Sequence, residues 1–221
     1  MNSASAKPLR PDEFQAMTGV SEAVVAHLSA YLDKLQLWQK KINLVSAATL
    51  SDPWRRHILD SGQLHTLLPG SAQSIVDIGS GAGFPALVLA IMDLQYGGKR
   101  VPTRQFHLIE SDRRKCVFLN EIIRLTGIAG IVYDKRVEAY AGPRADAVTA
   151  RACAPMVRLL PWAAPLMEDH GRGLFLKGEK AQDELTLAAK DWTMDVTKHA
   201  SLSDTRGVIL EVKNLARHHD T

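Results

Sequence analysis

From Gly70 onward the chain alternates short apolar runs with helical stretches of ten or more residues, and that rhythm leaves few folds open. Strands are expected at Ser74–Ile78, Gln105–Ile109, Ala129–Tyr133, Asp146–Thr149, Gly173–Leu176, Thr193–Lys198 and Val208–Val212. Helices are expected between them at Phe84–Leu94, Asp112–Thr126, Pro155–Met167 and Ala181–Asp191. Crossovers of this length make neighbouring strands parallel and cover both faces of a sheet. The last two strands have no helix between them, so an antiparallel hairpin is expected to close a mainly parallel, seven-stranded α/β sheet. The stretch Tyr96–Arg104, YGGKRVPTR, reads as an exposed loop that lengthens the first helix-to-strand connection.

The first 70 residues have another texture. Val24, Leu28, Tyr31, Leu32, Leu35, Trp38 and Ile42 recur at spacings of three and four, which predicts an amphipathic helix over Ser21–Ile42 with Ser21 as N-cap and Glu22 in its first turn. A second helix is expected from Asp52 and Pro53, a cap followed by proline at the first helical position, to Leu68. Residues 1–70 therefore read as a helical segment packed on a sheet domain of residues 71–221, one compact unit overall. With 221 residues, 46% of them hydrophobic, the chain is long enough to bury a substantial core.

Charge and cysteine usage narrow the function classes. Twenty-seven Lys and Arg against 24 Asp and Glu give a formal charge of +3, which permits an anionic partner without requiring one. Cys116 and Cys153 cannot build a disulfide framework and offer no CxxC pair, so a reducing compartment is expected and no metal site. The opening MNSASAKPLRPDEF lacks the apolar core of a secretory signal, and no run approaches the ~18 apolar residues of a membrane span. A soluble, cytoplasmic protein is expected, with no membrane association.

The strongest chemical signal is SIVDIGSGAGFPA, Ser74–Ala86, in which a strand runs into a glycine-rich turn and then a helix. Gly79, Gly81 and Gly83 let the backbone turn tightly and leave room for a ligand against it. The dinucleotide fingerprint wants a third glycine or alanine three residues after the second. Counted from Gly79 and Gly81 that position is Phe84 and fails; counted from Gly81 and Gly83 it is Ala86 and passes. A nicotinamide dinucleotide is thus demoted but open. An acid at the end of the first strand followed by G-x-G also opens an S-adenosylmethionine site, in which Asp77 would shape the loop and meet the amino-acid end of the ligand. Glu110, at the tip of the second strand, could accept from both ribose hydroxyls.

Further along, INLVS (Ile42–Ser46), RRHILDS (Arg55–Ser61), VDIGSGAGFP (Val76–Pro85), LIESDRRKCVFL (Leu108–Leu119), TARACAP (Thr149–Pro155) and LKGEK (Leu176–Lys180) follow in order. Over nearly its whole length the chain resembles the RsmG, or GidB, family. The resemblance implies a class I, Rossmann-like methyltransferase sheet with an N-terminal helical cap. It also implies a reaction: transfer of methyl from S-adenosylmethionine to N7 of a guanine in 16S, small-subunit ribosomal RNA, either naked or in an assembling or mature 30S particle. It places the cofactor against Gly79 and Phe84, the adenine beside Val137 and Glu138, and Arg151 just beyond the fourth strand. Ala86, Val88 and Cys153 stand where the family commonly shows Gly, Pro and Phe, at packing positions behind the loop or beside Arg151.

Guanine N7 carries an available lone pair, so no base need remove a proton and no catalytic residue is fixed by the chemistry. The candidates are His57 and Asp60, which share one helix face, and Arg151, which could bind a cofactor carboxylate, an RNA phosphate or an acid such as Asp77. A network tying the helical segment to the sheet domain is an equal reading of His57 and Asp60. Cys153 lies in an apolar run and lacks the Pro-Cys motif of thiolate-using enzymes, so inert packing is expected of it; Cys116 is expected in the core. Among the clustered basic residues Arg56 and Lys177 are the expected RNA contacts, with Lys99, Arg100 and Arg104 further candidates; Phe84 or Trp54 could support a base. Two rivals stand beside the methyltransferase, an NAD-dependent oxidoreductase and a non-catalytic RNA-binding scaffold. A monomer is the default.

Overall fold

All seven expected strands form in the structure, a computed structural model that describes residues 7–96 and 104–218. Most of the expected Tyr96–Arg104 loop, including Lys99 and Arg100, lies outside the described residues. The strands are β1 (Ser74–Ile78), β2 (Gln105–Glu110), β3 (Gly130–Asp134), β4 (Ala145–Arg151), β5 (Met167–Lys177), β6 (Trp192–Ala200) and β7 (Val208–Arg217). They lie side by side in the order β3-β2-β1-β4-β5-β7-β6. The first five are parallel, with Asp77 opposite Leu108 on one side and Thr149 on the other. The expected hairpin is present, but β7 inserts antiparallel between β5 and β6, so β6 forms the edge. Strand order reverses between β1 and β4, where open α/β sheets hold their ligands beyond the carboxyl ends of the strands.

The helices are α1 (Pro11–Thr18), α2 (Glu22–Gln39), α3 (Asp60–Gly62), α4 (Ala86–Asp93), α5 (Arg113–Thr126), α6 (Met156–Ala163) and α7 (Ala181–Ala188). Ser21 caps α2 through Val24 N, and Asp112 caps α5 through the Arg114 and Lys115 amides. Helix α2 ends before Ile42 because the Gln39 side chain turns to hold the chain that follows, accepting from Leu44 N and Val45 N and donating to Val45 O. Helix α6 stops short of Met167 as Pro165 approaches, and a 3-10 turn leads into β5. Helix α1, unmarked by the periodicity, starts on Pro11 and ends on the left-handed Gly19.

The expected helix from Asp52 to Leu68 is a composite: π-helical over Trp54–Leu59, α-helical over α3 and 3-10 over Gln63–Leu67. Asp52 holds its start, its Oδ1 accepting from Arg55 N at 3.3 Å and from Leu9 N at 2.9 Å. This composite helix brings His57, buried at 3% exposure, and Asp60 to the wall of the cavity beyond β1 and β4.

Alternation along the strands separates two apolar layers. Ile75, Phe106, Leu108, Ala147 and Leu174 pack under α2, the composite helix, α4 and α5, whereas Val76, Ile78, Val148, Phe175 and Leu210 pack against α6 and α7. The N-terminal helices share the first layer, burying Phe14, Leu28, Tyr31 and Leu35 completely. At ~25 cal/mol per Å2 of apolar surface, each such side chain contributes about 1.5–3 kcal/mol. The N-terminal helices are thereby packed on the sheet face that α4, the helix after the glycine loop, also covers. Among the described residues, no helix is long and apolar enough to cross a membrane, and no group of three or more His, Cys, Asp or Glu side chains is placed to hold a metal ion.

Candidate active site

The turn after β1 is built by backbone that only glycine adopts easily: Gly79, Gly81 and Gly83 have φ of +65°, +57° and +96°. It is pinned on both sides. Ser80 N donates to Ile109 O and Gly83 N to Ser80 O, while Gly81 N donates to Glu110 Oε2 at 2.8 Å. Glu110 Oε1 accepts from Ser111 N and Asp112 N, so this carboxylate couples the tip of β2 to the loop. Asp77 lies beneath, fully buried. Its Oδ1 accepts from Thr149 Oγ1 at 2.6 Å, its Oδ2 has no hydrogen-bond partner, and burial pushes its pKa up to about 6.

Two cavities flank this turn. The smaller, about 130 Å3, runs between the tips of β1, β2 and the 3-10 turn after β3, where it meets Glu110, Val137 and Glu138. The larger, about 1100 Å3, opens in front of Gly81 and is walled by the composite helix, the tip of β4 and the β6–β7 turn. The residues fit an S-adenosyl nucleoside. An added Cβ on Gly81 would find only Gly79 O at 3.8 Å, which leaves the loop open to a ligand, and the orphaned Asp77 oxygen beneath it awaits a donor or a proton.

His57, Asp60 and Arg151 do come together, as a network between the helical segment and the tip of β4. Arg151 donates to Asp60 Oδ2 at 3.1 Å, to Arg56 O at 2.9 Å and to His57 Nδ1 at 3.1 Å, and its guanidinium lies 4.7 Å over the Phe84 ring. The carboxylate partner of Arg151 is therefore Asp60 and not Asp77. Because a guanidinium only donates, His57 Nδ1 must accept, which assigns the proton to Nε2 and the next bond to Thr49 Oγ1 at 2.9 Å. Burial, then the Arg151 and Arg56 charges, lower the His57 pKa to about 3. A neutral imidazole with both nitrogens engaged is held as a strut.

Phe84 is 3% exposed, sandwiched between His57 at 4.7 Å and Tyr31 at 5.3 Å, and Trp54 is buried against Phe14. Both aromatics are core. Arg56 is half exposed in the large cavity and pairs with Asp204 at 2.9 Å. Lys177 lines the same cavity, its ammonium on Ala154 O and Glu184. Arg104 is buried, bonded to Asp93 and to the carbonyls of Pro69 and Ala72, so it is a brace beneath the sheet and faces no RNA. Cys116 is buried as expected, its Sγ donating to Glu110 O. Cys153 departs from the packing expected of it: it is exposed, bordering both cavities, with its Sγ so near Gly79 that a Cβ there would approach it to 2.6 Å, while partial burial and the Asp77 and Glu110 charges push its thiol pKa up.

The part played by the β6–β7 turn in the site is not legible in the sequence. Gln63 donates to Ser201 Oγ and accepts from Leu202 N at 2.7 Å, Ser203 Oγ donates to Asp60 Oδ1, and Arg56 meets Asp204 across 148 positions of chain. The run SLSDTRG announces a turn, but nothing local says which surface it returns to.

The comparisons with known proteins agree with this geometry. Residues 24–212 match the family model described as rRNA small subunit methyltransferase G, GidB. The chain is 48% identical over 206 residues to the Ribosomal RNA small subunit methyltransferase G of Parvibaculum lavamentivorans, covering 92% of this chain and 89% of that one. Its identity to the protein of the same name from Paramagnetospirillum magneticum is 46% over 207 residues, with 94% and 97% covered. In fold it is similar to M. jannaschii TYW2 in complex with AdoMet, with a TM-score of 0.55 at 15% identity over 81% of this chain and 80% of that one. A glycine turn between two cavities on a class I methyltransferase sheet, and sequence identity along nearly the whole chain, lead to one assignment: this chain belongs to the rRNA small subunit methyltransferase G family.

Proposed function

We propose that this chain transfers the methyl group of S-adenosylmethionine to N7 of a guanine in 16S ribosomal RNA, working in the cytoplasm as a monomer on naked rRNA or a 30S particle. One observation carries the reading: a glycine turn with a buried, half-satisfied carboxylate beneath it runs between a crevice of about 130 Å3 at the Val137–Glu138 end and a cavity of about 1100 Å3, in front of Gly81, with room for the rest of the donor and for a large partner. S-adenosylmethionine supplies an electrophilic methyl on a positively charged sulfur. Gly79 and Gly81 give it room, Asp77 and Glu110 offer acceptors to its amino-acid end and ribose, and Val137 and Glu138 border the adenine. Phe84, stacked under His57, stiffens the turn from behind.

On the acceptor side, Arg56 and Lys177 bring positive charge to the cavity wall for RNA phosphate. His57, Asp60 and Arg151 hold that wall at a fixed distance from Gly81. No residue needs to take a proton, because the N7 lone pair is free to attack. The rate comes from holding the two reactants in line, which can supply roughly 7–11 kcal/mol at its extreme. The test is mass-spectrometric mapping of methylguanosine in 16S rRNA from cells with and without the gene. One N7-methylguanosine should vanish on deletion and return with the restored gene, and an unchanged map refutes the proposal. Gel filtration with light scattering checks the monomer.

A further inference from the structure

We propose that the β6–β7 turn is a nucleotide-extruding element, with Leu202 as its wedge and Gln63 as the residue that positions it. The inference rests on the rRNA reading above and specifies how the acceptor base reaches the site. A base stacked in folded RNA cannot present N7 to a methyl donor recessed at the strand tips, so it must leave its stack. Enzymes that extrude a base insert an apolar side chain where it was.

Leu202 has the properties of such a wedge. It is 61% exposed, the most exposed large apolar side chain among the described residues, and stands just after β6 in a connection whose Ser201, Asp204 and Arg206 line the large cavity. It does not hang on a loose loop. The buried Gln63 carboxamide accepts from Leu202 N at 2.7 Å and donates to Ser201 Oγ at 3.2 Å, and Ser203 Oγ bonds to Asp60 and to Ser201 Oγ. The turn is thereby locked to the helix that also carries Arg151's partner. Charge on both sides suits a phosphate backbone. Arg56 and Arg206 line the cavity beside this connection, and Asp204 contacts each, at 2.9 Å and 3.8 Å. An isolated exposed leucine needs no explanation. One whose backbone is fixed by a buried side chain, in a turn that walls the substrate cavity and carries Arg206, does.

The experiment measures methyl transfer from tritiated S-adenosylmethionine to 30S subunits and to naked 16S rRNA from cells lacking the gene, with donor affinity measured separately by calorimetry. Leu202→Ala should lower kcat/KM for the RNA on the order of tenfold on whichever substrate the wild type labels, with donor Kd within twofold of wild type. Leu202→Met, which keeps length and apolarity, should stay within about threefold of wild type, and Leu202→Asp should be worse than alanine. Gln63→Leu should reproduce the alanine defect with donor affinity retained. If Leu202→Ala labels RNA at the wild-type rate, or weakens donor binding as much as it weakens turnover, the wedge is wrong. A wild type that labels neither substrate removes the rRNA reading and the wedge with it, whereas a wild type that labels RNA while Leu202→Ala matches it removes the wedge alone.

Discussion

Alanine at two glycines of one turn should produce opposite defects. Gly83 has a φ of +96°, and a Cβ there would overlap Leu87 Cδ1 and lie 2.6 Å from Leu87 Cγ and 2.9 Å from the Tyr31 hydroxyl. Neither neighbour has room to yield: Leu87 and Tyr31 are fully buried, and the tyrosine hydroxyl is bonded to Ala82 O. Left-handed backbone costs about 1–2 kcal/mol for a residue with a Cβ, and overpacking a core about 1–3 kcal/mol more. A loss of about 2–5 kcal/mol corresponds to a melting temperature lower by about 4–20 °C for a chain of this size. Gly81 has a φ of +57° but open space beside it, so alanine there costs only the backbone strain, about 1–2 kcal/mol. Its methyl would instead stand in the large cavity, and S-adenosylmethionine affinity should fall at least tenfold. Thermal unfolding followed by circular dichroism, with titration calorimetry at a temperature where both variants are folded, separates the two. The reasoning is refuted if Gly83→Ala melts no lower than Gly81→Ala, or if Gly81→Ala binds the donor as tightly as the wild type.

Three further outcomes are expected. Asp77 keeps its proton to about pH 6 in the folded chain, against about 4 when unfolded, so folding takes up a proton in that interval and the residue opposes stability increasingly as pH rises through it. Asp77→Asn should therefore be about 1–3 kcal/mol more stable than wild type at pH 7.5 and show no gain at pH 4 by urea unfolding, while binding S-adenosylmethionine more weakly; equal stability at pH 7.5 contradicts the assignment. With the His57 pKa at about 3, single-turnover methylation should show no imidazole step near pH 6.5, and a step that disappears in His57→Gln would mean the histidine titrates during turnover. Arg56→Ala breaks a largely exposed ion pair, so its melting point should barely move, yet its KM for rRNA should rise and the slope of log K against log salt should shrink by about 0.7–0.9; an unchanged slope removes Arg56 from the RNA contacts.

What the sequence makes legible follows from the range of the forces involved. The strands of the parallel half, the glycine turn, the cap at Ser21 and the start of α5 at Asp112 are set by residues within a few positions of one another, and the structure has them close to where the local sequence puts them. Helix ends are less legible where a distant or lateral group decides, as with Gln39 curling back on Val45 and Pro165 cutting α6 short. The site divides in the same way. Asp77, Gly79, Gly81 and Glu110 are readable because one strand-turn-helix unit and its neighbour bring them together. The partner of Arg151 is not, because Asp60 precedes it by 91 positions and its approach depends on how the composite helix docks. Cys153 looks apolar by its neighbours in sequence and is exposed because Ala152, at a φ of +50°, turns the chain outward after β4.

The place of β7 has a consequence for how the protein is made. The strand latest in sequence among the described residues is an interior one, inserted between two strands that precede it. Until it arrives, β5 presents a bare flank rich in Leu174, Phe175 and Leu176, and β6 has nothing to pair with. A chain truncated before β7 therefore yields no weakened enzyme but a sticky sheet margin, fit for aggregation or for a protease. Assembly of this sheet is close to all-or-none, since the ten-residue β7 is what joins β6 to the rest.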